Sequence, residues 1–523
     1  MPTSPDPLAD GRGVTAAGRR QAPRLQRALG GTSASTSGPT PPSPAPRYSG
    51  RRLALAALSV LVMLVGVPAL TGTAWAAPTV ASVTGEVERL TLNDPANVWS
   101  GGTVVVGGQV IILPKNLLID LPANRLTLQQ IFAQAPAACL ARSESGLGKA
   151  DGCNTWGTGA TATISANRTN GGNVIAGDVY LQKGVDLVNG TITYADYHDG
   201  YFRLNGLTGD PTTGVMVRLN DPIGRHTVQQ GLGCGSTPNC SPDPRFGLDA
   251  DNYTSSFTTG YPLCLPSTTT RTFPDVLDLN GNGNVTEQLS TASDASGKGD
   301  ALCPDTNRPD SNVAADSRRL APIRPGDSVI VKGNFETVNG IRFLSAYSTK
   351  VSVALSTSSD PGQPDYMVLN DMFIDAPSFA RLRIRDQFDG ATTEADSDVL
   401  LWSVHRDPAA NRPHEFPLGT VVGCENAAGP LTCRRVLGPN TFRIRHDIDF
   451  SVGAQSKLNP CTQWTADPRF AFDKVCPNGG TMDEQFGMLS PVPHEVQLRT
   501  GHELDYGSAL KTVDVHGAGA THG

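Results

Sequence analysis

The sequence predicts an all-β protein that folds outside the cytoplasm and is stapled by disulfides. Short runs of valine, isoleucine, threonine and leucine alternate with glycine, asparagine, aspartate and proline along most of the chain, which is the pattern of strands joined by turns. An export signal precedes all ten cysteines, so the folded part reaches a compartment in which disulfides persist. Repeated segments then divide the β region into units.

The export signal is expected at residues 51–76. An arginine pair opens it, an apolar run from Leu53 to Leu70 follows, and Ala74-Trp75-Ala76 places small residues around the cleavage position. Because the run is short for a membrane span, we expect cleavage after Ala76; the alternative is an uncleaved anchor. The arginine pair leaves the general and the twin-arginine export routes both open.

Both ends of the chain have compositions typical of segments without a core. Residues 1–50 are rich in proline, serine, glycine and arginine, which predicts a disordered N-terminal extension. Residues 501–523 are expected to form a flexible tail. These residues contain no hydrophobic anchor, so we expect the mature protein to be secreted or to be held by another component of the cell envelope, with no membrane span.

Cleavage after Ala76 makes the chain more acidic. The first 76 residues hold eight of the 42 basic residues and two of the 49 acidic ones, which leaves a formal net charge of −13. Such a surface repels phosphate backbones, so no nucleic-acid partner is expected. Acidic surfaces also attract cations, although solubility alone explains the charge equally well.

The cysteines are expected to form structural bridges, because no CxxC pair or histidine-spaced zinc pattern occurs. Sequence alone leaves the connectivity open. Pairing of neighbours would close five polar loops: Cys139 with Cys153, Cys234 with Cys240, Cys264 with Cys303, Cys424 with Cys433, and Cys461 with Cys476.

Individual strands follow from the pattern of residues. Thr103–Val106 and Gln109–Leu113 flank Gly107-Gly108, which predicts a β-hairpin. Further strands are predicted at Tyr201–Leu204, Val215–Leu219 and Ser328–Val331. One segment, Leu126–Ala135, has helical spacing of its apolar residues.

Two pairs of repeated segments predict a duplicated unit. Val83–Val87 matches Val188–Ile192, and Ala160–Lys183 aligns without gaps to Asp327–Lys350. The second alignment shares Asn167 with Asn334, Tyr180 with Tyr347 and Lys183 with Lys350, and Val174 resembles Ile341. We therefore expect β domains at 77–186 and 187–352, the second interrupted by an insertion at 226–320; chance similarity is the alternative.

These units resemble the OB-like barrels of uncharacterised secreted bacterial proteins. The resemblance rests on the opening V-x-G-x-[VI] strand and on Pro325–Gly333, which matches x-x-G-D-x-V-x-V-x-G. The first unit departs from it, since Gly159–Ile164 lacks the Gly-Asp pair. The resemblance covers both units and implies two tandem OB-like barrels, a fold that elsewhere binds nucleic acids or sugars on one face. It implies no activity.

A candidate calcium loop lies within the insertion. Residues Asp278 to Val285 match the first eight positions of a D-x-[DN]-x-[DN]-G-x-[hydrophobic] loop, in which oxygen atoms at alternate positions converge on a hard cation. The predicted ligands are Asp278, Asn280, Asn282, the carbonyl of Asn284, and Thr286. Because the twelfth position holds Leu289, an acid would have to come from Glu287, Asp275 or Asp300. The alternative is a plain hairpin turn.

A second repeated string is Asp-Pro-Arg-Phe, at residues 243–246 and 467–470, followed each time by another aspartate, Asp249 or Asp473. We interpret it as a loop clasp, with arginine beside the later carboxylate and phenylalanine in a core. An arginine that contacts a ligand is the alternative.

Residues 353–500 are expected to form a third, sandwich-like β domain. Polar and apolar residues alternate at 381–385 and 442–446, and Val399–Val404 is an apolar run that suits the middle of a sheet. His405, His414 and Asp449 would bind a metal if the strands brought them together, or they are surface residues at strand ends.

No catalytic signature is present: the chain lacks G-x-S-x-G, HExxH, Walker and dinucleotide-binding motifs. No catalytic residue is therefore predicted. The favoured function is a secreted or cell-envelope β-rich protein that binds or builds, with an undetermined ligand and with calcium as a stabilising ion. The rival is an extracellular hydrolase acting on polysaccharides or esters, which would need a cleft with two carboxylates roughly 5–10 Å apart. Aromatic residues, at 6% of the chain, are few for extended sugar stacking.

Overall fold

Three groups of strands follow one another within residues 74–523, which form one unit. A computed structural model describes residues 79–115, 117–155, 157–168, 171–184, 186–235, 239–248, 254–274, 287–290, 299–309, 313–358, 365–375, 383–395, 398–407, 412–421, 431–434, 440–449, 495–501 and 511–516. The predicted N-terminal extension, the signal peptide, the candidate ligands Asp278–Thr286 and the second Asp-Pro-Arg-Phe string lie outside these residues.

The first group of strands closes a small barrel, barrel 1. Its strands are β1 (Thr79–Leu92), β2 (Gly102–Val106), β3 (Gln109–Leu113), β4 (Leu118–Asp120), β5 (Arg125–Thr127), β6 (Thr161–Arg168) and β7 (Val174–Gln182). They run in the order β3-β2-β1-β6-β7-β4-β5. The strands β3, β2, β1, β6 and β7 close into an OB-like barrel, because β3 also pairs in parallel with β7 at Ile112 and Ile175. The resemblance implied this closure.

Local sequence explains how barrel 1 turns and where its helices lie. Gly107 and Gly108 both have positive φ, 57° and 74°, the conformation that a two-residue hairpin turn requires, so the predicted hairpin is confirmed. Two short helices follow β5, α1 (Leu128–Ala133) and α2 (Ala137–Leu140). Thr127 and Gln130 form a capping box at the start of α1, which satisfies two backbone donors there.

The second group forms barrel 2 and its insertion. The strands are β8 (Asp186–Asp196), β9 (Tyr201–Leu204), β10 (Val215–Leu219), β11 (Ser255–Phe257), β12 (Leu263–Cys264), β13 (Arg271–Pro274), β14 (Glu287–Ser290), β15 (Ala321–Pro322), β16 (Ser328–Val338) and β17 (Ile341–Val351). The main sheet has the order β10-β9-β8-β16-β17-β11, and a parallel pairing of β10 with β17 closes the barrel. The insertion also forms a 3-10 helix, Pro244–Phe246, and the small pairs β12–β15 and β13–β14.

The repeated segments occupy equivalent positions in the two barrels. Val83 pairs with Ile164 in barrel 1, and Val188 pairs with Val331 in barrel 2, as the two alignments require. The opening strands also carry a bulge at matched positions, after Val87 and after Ile192. The two predicted barrels are therefore present; their descent from one duplicated unit stays a prediction.

The gapless alignment fails on the last strand of each barrel and needs correction. The loop before that strand has five residues, 169–173, in barrel 1, but only Asn339 and Gly340 in barrel 2. In barrel 2 the strands β16 and β17 each extend three residues further toward this loop than β6 and β7 do, which outweighs the shorter loop, so the matched positions on the last strand shift by three residues. Thr163 pairs with Tyr180, whereas its counterpart Ile330 pairs with Lys350, so Tyr180 corresponds to Lys350 and not to Tyr347.

The third group consists of two four-stranded antiparallel sheets, in agreement with the sandwich-like expectation. Their strands are β18 (Met367–Asp375), β19 (Arg383–Thr392), β20 (Asp398–Asp407), β21 (Arg412–Val421), β22 (Leu431–Arg434), β23 (Thr441–Asp449), β24 (Glu495–Gly501) and β25 (Lys511–His516). The orders are β18-β19-β23-β22 and β21-β20-β24-β25, so the apolar run 399–404 lies in the middle of a sheet. The flexible tail expected at 501–523 needs correction, since Lys511–His516 form an edge strand; Val513 and Val515 alternate with polar residues there.

The interiors of both barrels are filled by side chains. Barrel 1 buries valines, isoleucines and leucines from every strand. Barrel 2 buries the same residue types from β8, β9, β10, β16 and β17, and the insertion adds Phe257, Tyr261 and Leu263 to its core. The described part of the insertion therefore packs as part of barrel 2.

Three of the five predicted disulfides are confirmed: Cys139–Cys153, Cys234–Cys240 and Cys264–Cys303. Each joins neighbours along the chain and closes a loop, as expected. Cys424, Cys461 and Cys476 lie outside the described residues, so the pairs 424–433 and 461–476 stay predictions.

Candidate functional site

The first Asp-Pro-Arg-Phe string lies where the two barrels meet. Proline starts the 3-10 helix Pro244–Phe246, and Arg245 folds back so that Nε and Nη2 each donate to an oxygen of Asp243 over 2.8 Å. Phe246 belongs to the core of barrel 1. The predicted clasp is confirmed with one correction: the partner of Arg245 is Asp243, whereas Asp249 lies outside the described residues.

Arg245 also bonds directly to barrel 1. Its Nη1 donates to the carbonyl oxygens of Ile131 and Ser145, each over 2.8 Å, and its side chain is fully buried. A buried guanidinium requires such partners, because an unpaired charge in a dry interior is strongly destabilising. Since Arg245 belongs to the insertion of barrel 2, these bonds tie the two barrels together.

A second ion-pair group joins the same elements. Lys183, which follows β7, places Nζ 3.4 Å from Oε1 of Glu336 on β16 and 3.7 Å from Oδ2 of Asp243. Ser241 Oγ donates to the other oxygen of Glu336 over 2.8 Å. All three charged side chains are at most 9% exposed, so these interactions are little screened by solvent.

The two acids of this group respond to burial in opposite ways. Burial disfavours the ionised form of Asp243, but the charges of Arg245 and Lys183 outweigh it and lower the pKa of that carboxyl. Burial is the dominant effect on Glu336 and raises its pKa, although Lys183 and Ser241 oppose the shift. This ion-pair group therefore contains one firmly ionised carboxylate, Asp243, and one that is more easily protonated, Glu336.

A pair of acids lies on the outer strands of barrel 1. Asp120 at the end of β4 is the register partner of Tyr180 on β7, and Asp178 lies two residues before Tyr180. Arg125 on β5 places Nε 3.0 Å from Oδ1 of Asp120. Asp120 is 2% exposed and Asp178 is 6% exposed, so two carboxyl groups share a buried site.

Burial and the neighbouring carboxylate keep Asp178 neutral. Burial is the larger cause, and the negative charge of Asp120 adds to it, so that the pKa of Asp178 rises to about 8 despite the opposing charge of Arg125. Burial and Asp120 likewise raise the pKa of Tyr180 to about 12. At neutral pH the pair therefore holds a proton that the isolated carboxyl groups would not hold.

One buried side-chain amide on β16, close to the second ion-pair group, has no hydrogen-bond partner among the described residues. Asn334, two residues before Glu336 on β16, is 4% exposed, and both polar atoms of its side chain lack a hydrogen-bond partner among the described residues. Its Oδ1 lies near Gly184, in the link between the barrels. A buried polar group of this kind is the ordinary place for a bridging water.

A separate buried network organises the insertion. Asp221 accepts hydrogen bonds from the backbone of Gly224, His226 and Thr227, and Nδ1 of His226 donates to the carbonyl of Leu263 over 2.6 Å. Burial lowers the pKa of His226 to about 4, against the opposing charge of Asp221. The imidazole is therefore neutral near pH 7, and the network fixes the fold beside the Cys264–Cys303 bridge.

The remaining candidate metal ligands have different placements. Asp300 is fully buried and already accepts from the backbone of Ser267, Leu302 and Cys303, so it is not available to a calcium loop. His405 and His414 are register partners on β20 and β21, whereas Asp449 lies on β23 of the other sheet and pairs with Arg383. Within the described part of the chain, no three His, Cys, Asp or Glu side chains converge on a metal position.

One open groove is found on barrel 1, with a volume of about 510 Å³. Its walls come from the end of β1, from α1 and from α2. The lining residues are Leu90, Thr91, Leu92, Pro95, Gln129, Phe132, Ala133, Leu140 and Ser143. None of them is acidic or histidine, so this groove contains no acid–base pair.

Sequence reasoning missed both ion-pair groups because their members lie far apart in the chain. One signal was present: Asp178 interrupts the apolar run Val174–Leu181, and an isolated acid in a buried strand indicates a partner. Nothing local marked Asp120, Lys183 or Glu336.

Comparisons with known proteins assign no family. No family model and no curated protein matches the chain. Among solved structures, dimeric latent PorU from Porphyromonas gingivalis is similar over 84% of this chain and 30% of that chain, with 9% sequence identity and a TM-score of 0.15, and this likeness carries no argument. Among the described residues, no helix has the length and apolarity needed to cross a bilayer.

Proposed function

We propose that the mature chain is a secreted or cell-envelope protein with a binding or structural role, and that its two barrels act as one rigid body. The observation that carries the proposal is the clasp: an insertion of barrel 2 places Phe246 in the core of barrel 1 and bonds Arg245 to the carbonyls of Ile131 and Ser145, with Arg245 and Phe246 at most 1% exposed. The clasp fixes the two barrels relative to each other. A rigid pair of barrels suits a protein that presents an extended surface, whereas an enzyme that closes around its substrate needs a hinge.

The chemistry of the described sites supports this proposal. The barrel interiors are filled with apolar side chains, so neither barrel encloses a ligand. The charged groups at the clasp are buried and already bonded to each other, and the open groove is lined without an acid or a base. We place the ligand on an outer surface of the barrels or on the third domain.

Location and calcium belong to the same proposal. The three disulfides favour an oxidising compartment and are consistent with the export signal predicted at 51–76. Strands β13 and β14, which flank the candidate calcium loop, pair antiparallel from Arg271 with Ser290 to Pro274 with Glu287. This pairing suits either a calcium loop or the hairpin turn that was its alternative.

Among the described residues, the rival hydrolase has its best candidates in Asp120 and Asp178, since a neutral acid beside an ionised one is the pattern of acid–base catalysis. Their burial counts against it, because a substrate must reach the carboxyl groups.

The test compares binding with turnover. Residues 77–523 are incubated with insoluble envelope polysaccharide and, separately, with polysaccharide and ester substrates, alongside Asp178→Asn. The proposal expects co-sedimentation with saturable affinity and no turnover that distinguishes the wild type from the variant. Hydrolysis by the wild type that Asp178→Asn abolishes would establish the rival function instead.

A further inference from the structure

We infer that the buried acid pair Asp120–Asp178 is a proton-controlled latch, which holds the β4–β5–α1 segment (residues 118–133) against barrel 1 at acidic pH and loosens it as the pH rises. The inference goes beyond the proposed function and does not depend on it. It stands on the position of this segment between three features: the acid pair, the clasp and the open groove.

The segment is attached to the barrel at one side by few backbone bonds. β4 meets β7 at a single register position, Asp120 with Tyr180, while β4 and β5 pair with each other from Leu118 with Thr127 to Asp120 with Arg125. The attachment therefore depends on side chains. Apolar contacts of Ile119 and Leu126 in the core supply one part, and the buried acid pair lies at the edge that joins β4 to β7.

The opposite end of the segment reaches the clasp and the groove. Thr127 ends β5 and caps α1 directly, and Ile131 of α1 accepts the hydrogen bond from Arg245. Gln129, Phe132 and Ala133 of the same helix form a wall of the groove. A displacement of β4 and β5 would therefore change both the grip between the barrels and the width of the groove.

The charges around the pair determine the direction of the response. Asp178 on β7 is influenced by Asp120 on β4 and Arg125 on β5, and Tyr180 on β7 is influenced by Asp120. Beyond Tyr180 lie Tyr347 and Asp186 of barrel 2. The positive charge of Arg125 opposes the rise in the pKa of Asp178, but burial and the charge of Asp120 outweigh it, so ionisation of both carboxyl groups is unfavourable while the segment is closed.

The pH window follows from linkage. When the segment opens, we expect water to reach Asp178 on β7 and its carboxyl to titrate near the ordinary value of about 3.9, whereas burial raises its pKa to about 8 in the closed state. The opening equilibrium therefore increases by up to tenfold per pH unit between about pH 4 and pH 8, and becomes constant above that range. The latch is closed most firmly in acid.

Barrel 2 supplies a matched internal control. Its β11 adds to β17 at the edge that corresponds to β4 on β7, with Ser256 opposite Lys350. The positions that correspond to Asp120 and Asp178 hold Ser256 and Ser348, because Lys332, the counterpart of Ser165, pairs with Ser348. This edge has no carboxyl pair, so proton binding should not control it.

Hydrogen–deuterium exchange of the mature protein at pH 5, 6, 7 and 8 tests the latch, with rates corrected for intrinsic exchange. We expect opening of peptides within 118–133 to increase about 100-fold from pH 5 to pH 7, and peptides covering 254–264 to change much less. Asp178→Asn should abolish the dependence, and Asp94→Asn, which removes an exposed carboxyl of barrel 1, should preserve it.

A wild-type profile that is flat in pH, or an Asp178→Asn profile that parallels the wild type, would overturn the latch. If Asp178→Asn alters the fold, which protection in the strands of barrel 2 reports, Asp120→Asn replaces it. That variant removes the neighbouring charge, which lowers the closed-state pKa of Asp178, so the increase in opening should level off at a lower pH than in the wild type; levelling at the same pH would also overturn the inference.

Discussion

Barrel 1 and barrel 2 share one topology but close the same edge with different chemistry. In each, the connection after the third barrel strand contributes a short parallel strand, β4 or β11, to the edge of the last strand. Such a strand covers backbone groups that would otherwise be open to pairing with another chain. Barrel 1 closes the edge with buried carboxyl groups, whereas barrel 2 closes it with hydroxyl groups and a lysine.

The difference shows that strand pairing is fixed by topology, while the conditions under which it holds depend on a few side chains. Barrel 2 compensates for a long insertion with two disulfides, Cys234–Cys240 and Cys264–Cys303. Barrel 1 has a shorter connection with one disulfide and receives the clasp from its neighbour. The two barrels should therefore respond differently to mutation, reduction and pH.

The largest effect is expected at the clasp, where the barrels depend on each other. Arg245→Ala leaves the carboxylate of Asp243 buried without its partner and frees the carbonyls of Ile131 and Ser145, so we expect a loss of roughly 3–5 kcal/mol in the free energy of unfolding. Arg318→Ala is the control, because Arg318 and Asp316 form an exposed pair worth at most about 1 kcal/mol. Urea unfolding of both variants measures the difference, and equal losses would contradict the clasp.

The loss of stability on removing a disulfide should increase with the length of the loop that the disulfide closes. The bridges close separations of 39, 14 and 6 residues, for which chain entropy predicts losses of about 4, 3 and 2 kcal/mol. Double Cys→Ser variants of each pair, compared by denaturant unfolding, test this order. A smaller loss for Cys264–Cys303 than for Cys234–Cys240 would show that native contacts, and not chain entropy, determine the ranking.

Acid should weaken barrel 2 through His226. Because burial lowers its pKa to about 4, the folded state does not take the proton that the unfolded chain binds near pH 6.5. The contribution of His226 is therefore complete above pH 6.5 and is lost as the pH falls toward 4, by up to about 3 kcal/mol. His226→Gln should lose less stability than the wild type between pH 7 and pH 4; parallel profiles would exclude this origin.

The smallest effect is expected from calcium. With a dissociation constant of roughly 10⁻⁴–10⁻³ M, as in extracellular modules, 10 mM calcium would stabilise the protein by about 1–3 kcal/mol. The melting temperature of the wild type should rise with calcium and fall with chelator, whereas Asp278→Ala should not respond. An equal response of both proteins, or none, would identify the loop as a turn.

The sequence predicted what depends on neighbours along the chain. The hairpin at Gly107-Gly108, the three confirmed disulfides and the first-strand register of each barrel are local or repeated features. The alignment failed after residue 168 because longer strands and a shorter loop in barrel 2 together add three residues between matched positions, which shifts every later pair. Asp120 and Asp178, like Lys183 and Glu336, are far apart in the chain and come close together only in the folded protein. No local sequence pattern predicts such contacts.

The central claim, that the clasp fixes the two barrels relative to each other, is tested most directly by a distance distribution. Spin labels at Gln109 on β3 and Arg342 on β17, introduced through non-cysteine chemistry, report on the separation of the barrels. We predict one narrow distribution for the wild type and a broad one for Phe246→Ala, which removes the side chain that barrel 1 buries. A broad distribution in the wild type, or a narrow and unshifted one in the variant, would contradict the claim.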